Sequence, residues 1–125
     1  MEIYKMIKNL DNVKKGKIGE NIAKKYLISL GMTIICSNYR TKFGEIDIIA
    51  RDRDYLVFIE VKYRRDEHEG DPAEAVDARK QARILRTARY YMTHYHISED
   101  TPCRFDVVAV LGSNVRLIRD AFWCG

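Results

Sequence analysis

Gly44-Glu45-Ile46-Asp47-Ile48-Ile49-Ala50 and, after a short break, Leu56-Val57-Phe58-Ile59-Glu60-Val61-Lys62 decide how this chain is read. Short runs of Val, Ile and Phe specify two strands of a buried sheet. Asp52-Arg53-Asp54 makes a compact turn between them, so 45–51 and 55–63 form an antiparallel hairpin. The turn lacks the Asn-Gly or Asp-Gly signature that would fix its register. One register is informative: opposed residues summing to 107 set Asp47 against Glu60 and Glu45 against Lys62. Alternation then puts those four on one face with Ile49 and Phe58, and Ile46, Ile48, Val57, Ile59 and Val61 on the other. A surface hairpin with cross-strand ion pairs would alternate the same way. Apolar residues on both faces call instead for a sheet covered on both sides. Carboxylates there must be paired, neutralised or bound to a metal, because desolvating a lone charge is prohibitive.

Working outward, residues 17–30 read as an amphipathic helix. Ile18, Ile22, Tyr26 and Leu30, joined by Ala23 and Leu27, form its apolar stripe, and Gly31 stops it. Gly19 lies in the stripe, where a missing side chain would let the helix approach a sheet closely. Glu20 falls at the stripe's edge beside Leu27, where helix meets packing partner. The ordinary reading of Glu20 is a first-turn acid complementing the helix dipole. Met32 to Tyr39 reads as a strand, linked by Thr41-Lys42-Phe43-Gly44 to the hairpin.

Beyond the hairpin, 63–72 is a charged loop, and Asp71-Pro72 starts a helix over 73–95. Ala78, Ala82, Leu85, Ala88 and Met92 supply its apolar stripe. Arg79, Arg83 and Arg86 run down the neighbouring face, joined by Lys80 and Arg89; they hold phosphates or form a solvated basic face. His94 and His96 diverge by about 200° on a helix and lack a third ligand, which argues against zinc. Cys103 to Leu111 and Val115 to Arg119 are the last strands, with Arg104 and Asp106 near the start of the first. Ala121-Phe122-Trp123 caps the core. The expected architecture is α/β, with a mixed central β-sheet flanked by α-helices in the order α-β-β-β-α-β-β. Residues 16–125 form one domain behind a basic N-terminal arm, 1–15.

A chain of 125 residues can bury a single core unaided. No apolar run approaches the roughly 20 residues that span a bilayer. Met1-Glu2-Ile3-Tyr4-Lys5 lacks a secretory signal, so a soluble cytoplasmic protein is expected, with no membrane partner. Cys36, Cys103 and Cys124 are odd in number and widely separated, which argues against both a disulfide framework and a thiolate metal site. Residues 1–25 hold seven Lys against three acids, while the remainder balances fifteen against fifteen. Such a basic region suits a polyanion, or serves solubility as a hydrated helix face. Gly16-Lys17 lacks the glycine spacing and the following Ser/Thr of a P-loop.

Two carboxylates on adjacent strands, with Glu20 as a third, make a hard-oxygen site suited to Mg²⁺ or Mn²⁺. Asp47, a short turn and Glu60-Val61-Lys62 resemble the metal-binding core of the PD-(D/E)XK phosphodiesterase superfamily. The wider pattern is similar to the bacterial YraN family. It takes in Gly19-Glu20, Asn38-Tyr39-Arg40, Gly44 to Ala50, Phe58 to Arg64, Lys80, Arg104 to Val108 and Ala121-Phe122. Ile46 stands where the superfamily has proline, which removes no ligand. The resemblance implies a restriction-endonuclease-like core. It makes Asp47, Glu60 and Glu20 metal ligands and Lys62 catalytic, with Glu45 and Lys80 supporting. The implied activity is a divalent-metal-dependent endonuclease on DNA, in preference to RNA, including branched or damaged DNA in repair or recombination. The alternative is a catalytically silent nucleic-acid-binding module of a repair or uptake assembly. Lys14, Lys15, Lys17, Arg40, Arg64, Arg79 and Arg83 are candidates for phosphate contacts. Cutting two strands with one site per chain would favour a homodimer.

Overall fold

The computed structural model describes residues 12–64, 76–111 and 114–122, with the backbone alone for 12–15 and for Arg64. Helix α1 (Asn12–Ser29) leads into β1 (Thr33–Thr41), β2 (Gly44–Asp52) and β3 (Tyr55–Arg64). Helix α2 (Ala78–His94) then precedes β4 (Cys103–Leu111) and β5 (Asn114–Phe122). The strands lie in the order β1-β2-β3-β4-β5. All neighbours are antiparallel except β3 and β4, which are parallel. Strands running the same way need a crossover connection, and α2 lies within it. The α/β class, the mixed sheet and the element order are those read from the sequence. Neither described helix is long and apolar enough to cross a membrane.

Each helix covers one face. Ala23 and Leu27 of α1 pack on Ile48, Ala50, Val57, Ile59, Val108 and Val110. Ile84, Ala88 and Tyr91 of α2 pack on Ile49, Phe58, Phe105 and Val107. Phe58 stacks on Phe105 at 5.4 Å, and Phe105 on Phe122 at 5.2 Å. With both faces covered, any charge in the central strands is costly unless compensated.

Several boundaries and faces differ from the expectation. Helix α1 begins at Asn12 rather than 17, so 12–15 are helical, while 1–11 lie outside the described residues. Its core-facing line is Ala23 and Leu27, and Leu30 is exposed. Gly31 does end it: φ is +94°, and the Met32 N–H closes onto the Leu27 carbonyl at 3.1 Å. Helix α2 begins at Ala78, capped by Asp77, whose carboxylate accepts from the Lys80 N–H at 2.9 Å. The proposed start at Asp71-Pro72 lies outside the described residues, as does Trp123. Ala78 and Ala82 are exposed, and the buried face carries Ile84, Thr87, Ala88 and Tyr91. The helix presents its large side chains to the core because they remove far more apolar area from water than alanines do. Strand β5 reaches Phe122, beyond the expected Arg119.

Gly19 does not mark a close approach. It is buried, yet a Cβ there would meet nothing within 4 Å. Glycine inside a helix costs roughly 0.5–1 kcal/mol relative to alanine. Gly19→Ala is expected to stabilise the fold by about that amount, raising Tm by a few degrees in thermal denaturation. A lower Tm would contradict the open space beside it.

Candidate functional site

The central hairpin is regular at its turn and open at its other end. Pairing runs from Asp52↔Tyr55 to Ile48↔Ile59, the register that sums to 107, and stops there. Asp47 and Glu60 are the first residues past the last pair. The Val61 N–H, freed from the ladder, donates to Asp47 Oδ2 at 2.8 Å. On the other side of β2, the pairs Ser37↔Ile48 and Tyr39↔Ile46 bracket Asn38, which has a left-handed backbone with φ +55°. Asp47 therefore sits between irregularities in both neighbouring strands. Ile46, just beyond it, joins the cluster under α2 rather than the face of Ile48, because regular alternation breaks at Asp47.

Burial pushes the Asp47 carboxyl up to about 7, and the adjacent Glu60 carboxylate adds to the rise. The Val61 N–H and Lys80 oppose it, and Glu45 adds to it. Glu60 is 7% exposed. Its Oε1 meets Lys80 Nζ at 2.6 Å and Lys62 Nζ at 3.3 Å. Burial lowers the Lys62 ammonium below the usual lysine value, and nearby Lys80 lowers it further, against the pull of Glu60. For Lys80, burial acts downward but is outweighed by its bonds to Glu60 and Lys62, so its ammonium is held above the usual value. Of the two amines, Lys62 is the readier to release a proton.

Asp47, Glu60, Lys62 and Lys80 thus come together, while the other expected members stand in different relations. Glu20 accepts from Asn38 Nδ2 at 2.9 Å and pairs with Lys24 at 3.2 Å. It reaches the residue opposite Asp47 rather than the acids themselves. Glu45 does not face Lys62: the strands separate before that register is reached, and Glu45 pairs with exposed Arg40 at 2.9 Å. Lys17, Arg79 and Arg83 are exposed, and the side chains of Lys14, Lys15 and Arg64 lie outside the described residues.

Lys80 earns more weight than its sequence gave it. A cation in the first turn of a helix opposes the dipole, and that misfit was the available signal. Asn38 carries no such signal, since its role depends on a backbone irregularity. A second buried ion network lies at the turn end of the hairpin. Arg104 Nε bonds both oxygens of Asp106 at 3.0 Å, and its Nη2 bonds Asp52 Oδ2 at 2.8 Å. Arg119 adds a bond to Asp52 at 2.9 Å, tying β2, β4 and β5 together at the turn end of the hairpin. Arg104 and Asp106, charged at i and i+2 in an apolar strand, were its trace in the sequence.

Among the described residues, no group of three His, Cys, Asp or Glu side chains could hold a metal ion. The pair of acids still fits a hard cation, because Mg²⁺ is often held by one or two carboxylates, with water and substrate phosphate completing the shell. Asp47 Oδ2 and Glu60 Oε1 are engaged, and the second oxygen of each has no described hydrogen bond.

These features define a three-layered α/β protein, one helix on each face of the sheet, with a carboxylate pair and two lysines where its central hairpin opens. Residues 19–110 match the family model described as Uncharacterised protein family UPF0102, and the chain belongs to that family. A UPF0102 protein of Lachnoclostridium phytofermentans is 49% identical over 108 residues, covering 86% of this chain and 92% of the relative. One of Syntrophus aciditrophicus is 45% identical over 124 residues, covering 96% and 94%. The matched span contains Glu20, Asp47, Glu60, Lys62 and Lys80.

The Asp47 shift has a definite consequence for stability. An unfolded aspartate releases its proton near pH 3.9, whereas the folded one holds it to about 7. Between those values the folded state binds more protons, so it loses stability as pH rises. Asp47→Asn keeps an oxygen to accept from Val61 and removes the charge. In a chelator at pH 8 it should exceed the wild type by more than about 1 kcal/mol in denaturant unfolding, with the gap closing towards pH 4. A gap independent of pH would refute this origin.

Proposed function

We propose that this protein is a divalent-metal-dependent phosphodiesterase acting on DNA inside the cell. The observation that carries the proposal is the juxtaposition of Asp47 and Glu60, each with a second oxygen that makes no hydrogen bond among the described residues, beside Lys62, which burial holds below the usual lysine value. It is supported by the resemblance of Asp47…Glu60-Val61-Lys62 to the PD-(D/E)XK superfamily and of the wider pattern to the YraN family. Asp47 and Glu60 would hold Mg²⁺ or Mn²⁺. Such an ion, when bound, lowers the pKa of water and offsets charge on a phosphodiester.

The chain's own residues divide the remaining work. In its neutral form Lys62 would accept a proton from the attacking water, and as the ammonium it would donate a hydrogen bond to the developing phosphorane oxygen. A new P–O bond forms to that water, the bond to the leaving oxygen breaks, and the leaving oxygen takes up a proton. Lys80, held in its charged form, fixes the Glu60 carboxylate. Glu20 acts through Asn38, shaping β1 opposite Asp47.

One observation favours a second reading. Glu60 already has two ammonium partners, an arrangement that balances buried charge without a metal and suits a nucleic-acid-binding module with no turnover. A cleavage screen separates the two, using linear, single-stranded, flapped and four-way DNA with Mg²⁺ or Mn²⁺. Cleavage should fall by ~10²–10⁴-fold in Asp47→Ala and in Lys62→Ala, with circular dichroism unchanged. Equal cleavage by these variants would refute the assignment. Salt-sensitive binding without cleavage would favour the module.

A further inference from the structure

We propose that the outer face of α2 and the β1–β2 turn form a stacking platform for single-stranded DNA leading away from the carboxylate pair. The inference rests on the nucleic-acid reading above and specifies the kind of substrate. At 100° per residue, Arg79, Arg83, Arg86, Tyr90 and His94 fall within about 80° of one another around α2. All five are exposed. The helix contains no Asp or Glu from Ala78 to His94. Lys80, in its first turn, contacts Glu60. The stripe starts at Arg79, the chain neighbour of Lys80, and extends about 20 Å along the axis to His94.

The far half of the stripe is aromatic. Tyr90 and His94 stack at 5.9 Å with ring planes only 7° apart. His94 meets Tyr95 edge-on at 4.8 Å. The β1–β2 turn extends the row: Phe43 lies 6.0 Å from Tyr90, and Lys42 sits over the Phe43 ring at 5.3 Å. That turn is seated against α2, since a Cβ at Gly44 would come 3.5 Å from Arg83 Cβ. Tyr90 is 44% exposed and Tyr95 56%. Tyr91 is the ring that packs inside, against Tyr39 and Phe58, and Tyr95 touches it at 4.9 Å, whereas Tyr90 meets only Phe43 and His94 among the described rings.

A lone exposed aromatic is ordinary. Four rings in series, flanked by Lys42, Arg83 and Arg86 and free of acids on the helix, match the chemistry of an unpaired strand. Cations track the phosphates while bases stack on rings, whatever the sequence. Duplex DNA keeps its base faces covered and can use only the cations. A substrate with an unpaired segment beside the scissile phosphate would engage both parts.

The test is fluorescence anisotropy on the full chain with excess EDTA, so that cleavage plays no part. The probes are a labelled oligo(dT), an abasic oligomer of the same length, and a duplex. The wild type should bind oligo(dT) about 10-fold more tightly than the abasic strand and more tightly than the duplex. Tyr90→Ala combined with Tyr95→Ala should abolish that preference, and Tyr90→Phe should retain it. Lys42→Ala should weaken both single strands equally and reduce the salt slope. Equal binding of oligo(dT) and abasic strand by the wild type, or a preference that survives the double alanine variant, would overturn the platform. Duplex binding as tight as oligo(dT) binding overturns the platform alone and leaves the nucleic-acid reading standing. No binding to any probe overturns both. Binding with the expected preference by a chain that never cleaves supports the platform.

Discussion

Two carboxylates side by side in a sheet covered on both faces form the constraint on which this structure turns. Asp47 and Glu60 lie where β2 and β3 part. Burial, with the neighbouring Glu60 carboxylate adding to it, holds the Asp47 proton to about pH 7. An arrangement of this kind costs stability, and its compensation is distributed over the fold. The Val61 N–H bonds one acid, and two ammonium groups flank the other. Sites under such electrostatic pressure are where function concentrates, because the same pressure makes a proton or a cation easy to exchange.

The scaffold delivers these groups from separate elements and fixes them at a distance. Helix α1 reaches β1 through Glu20 and Asn38, beside the break in regular pairing. Helix α2 brings Lys80 from the opposite face, its start set by Asp77. At the closed end of the hairpin, Arg104 joins Asp52 and Asp106, and Arg119 reinforces Asp52. The Asp52 carboxyl is held below the usual range chiefly by its hydrogen bond from Arg104, with Arg119 adding to the effect. One end of the hairpin is thus locked by Arg104 and Arg119 against Asp52 and Asp106, while at the other both lysines contact Glu60 and Asp47 is bonded by the Val61 N–H.

Much of this was legible in the amino-acid sequence. Alternation in 45–51 and 55–63 gave the hairpin, and the charges interrupting it gave Asp47, Glu60 and Lys62. The turn left the register open, and the one in which opposed residues sum to 107 is the one that forms, as far as Ile48 and Ile59. What failed depended on relations that periodicity does not encode. An unbroken ladder would set Glu45 opposite Lys62, whereas the ladder ends at Ile48 and Ile59. The stripe Ala78, Ala82, Leu85, Ala88 and Met92 holds for its last three members, whereas Ala78 and Ala82 are exposed and Ile84, Thr87 and Tyr91 complete the buried face. Lys80 looked peripheral because the capping role of Asp77 sets the helix start, and so the direction from which Lys80 approaches.

The central claim is that Asp47 is held near neutrality by burial and by Glu60, a strain that the proposed divalent cation would relieve. Carboxyl-detected NMR of Asp47 as a function of pH, with and without millimolar Mg²⁺, tests it most directly. The account predicts a midpoint near pH 7 in the metal-free protein, displaced well below neutrality by the ion. A midpoint near the ordinary aspartate value of about 4, or curves that coincide with and without Mg²⁺, would contradict it.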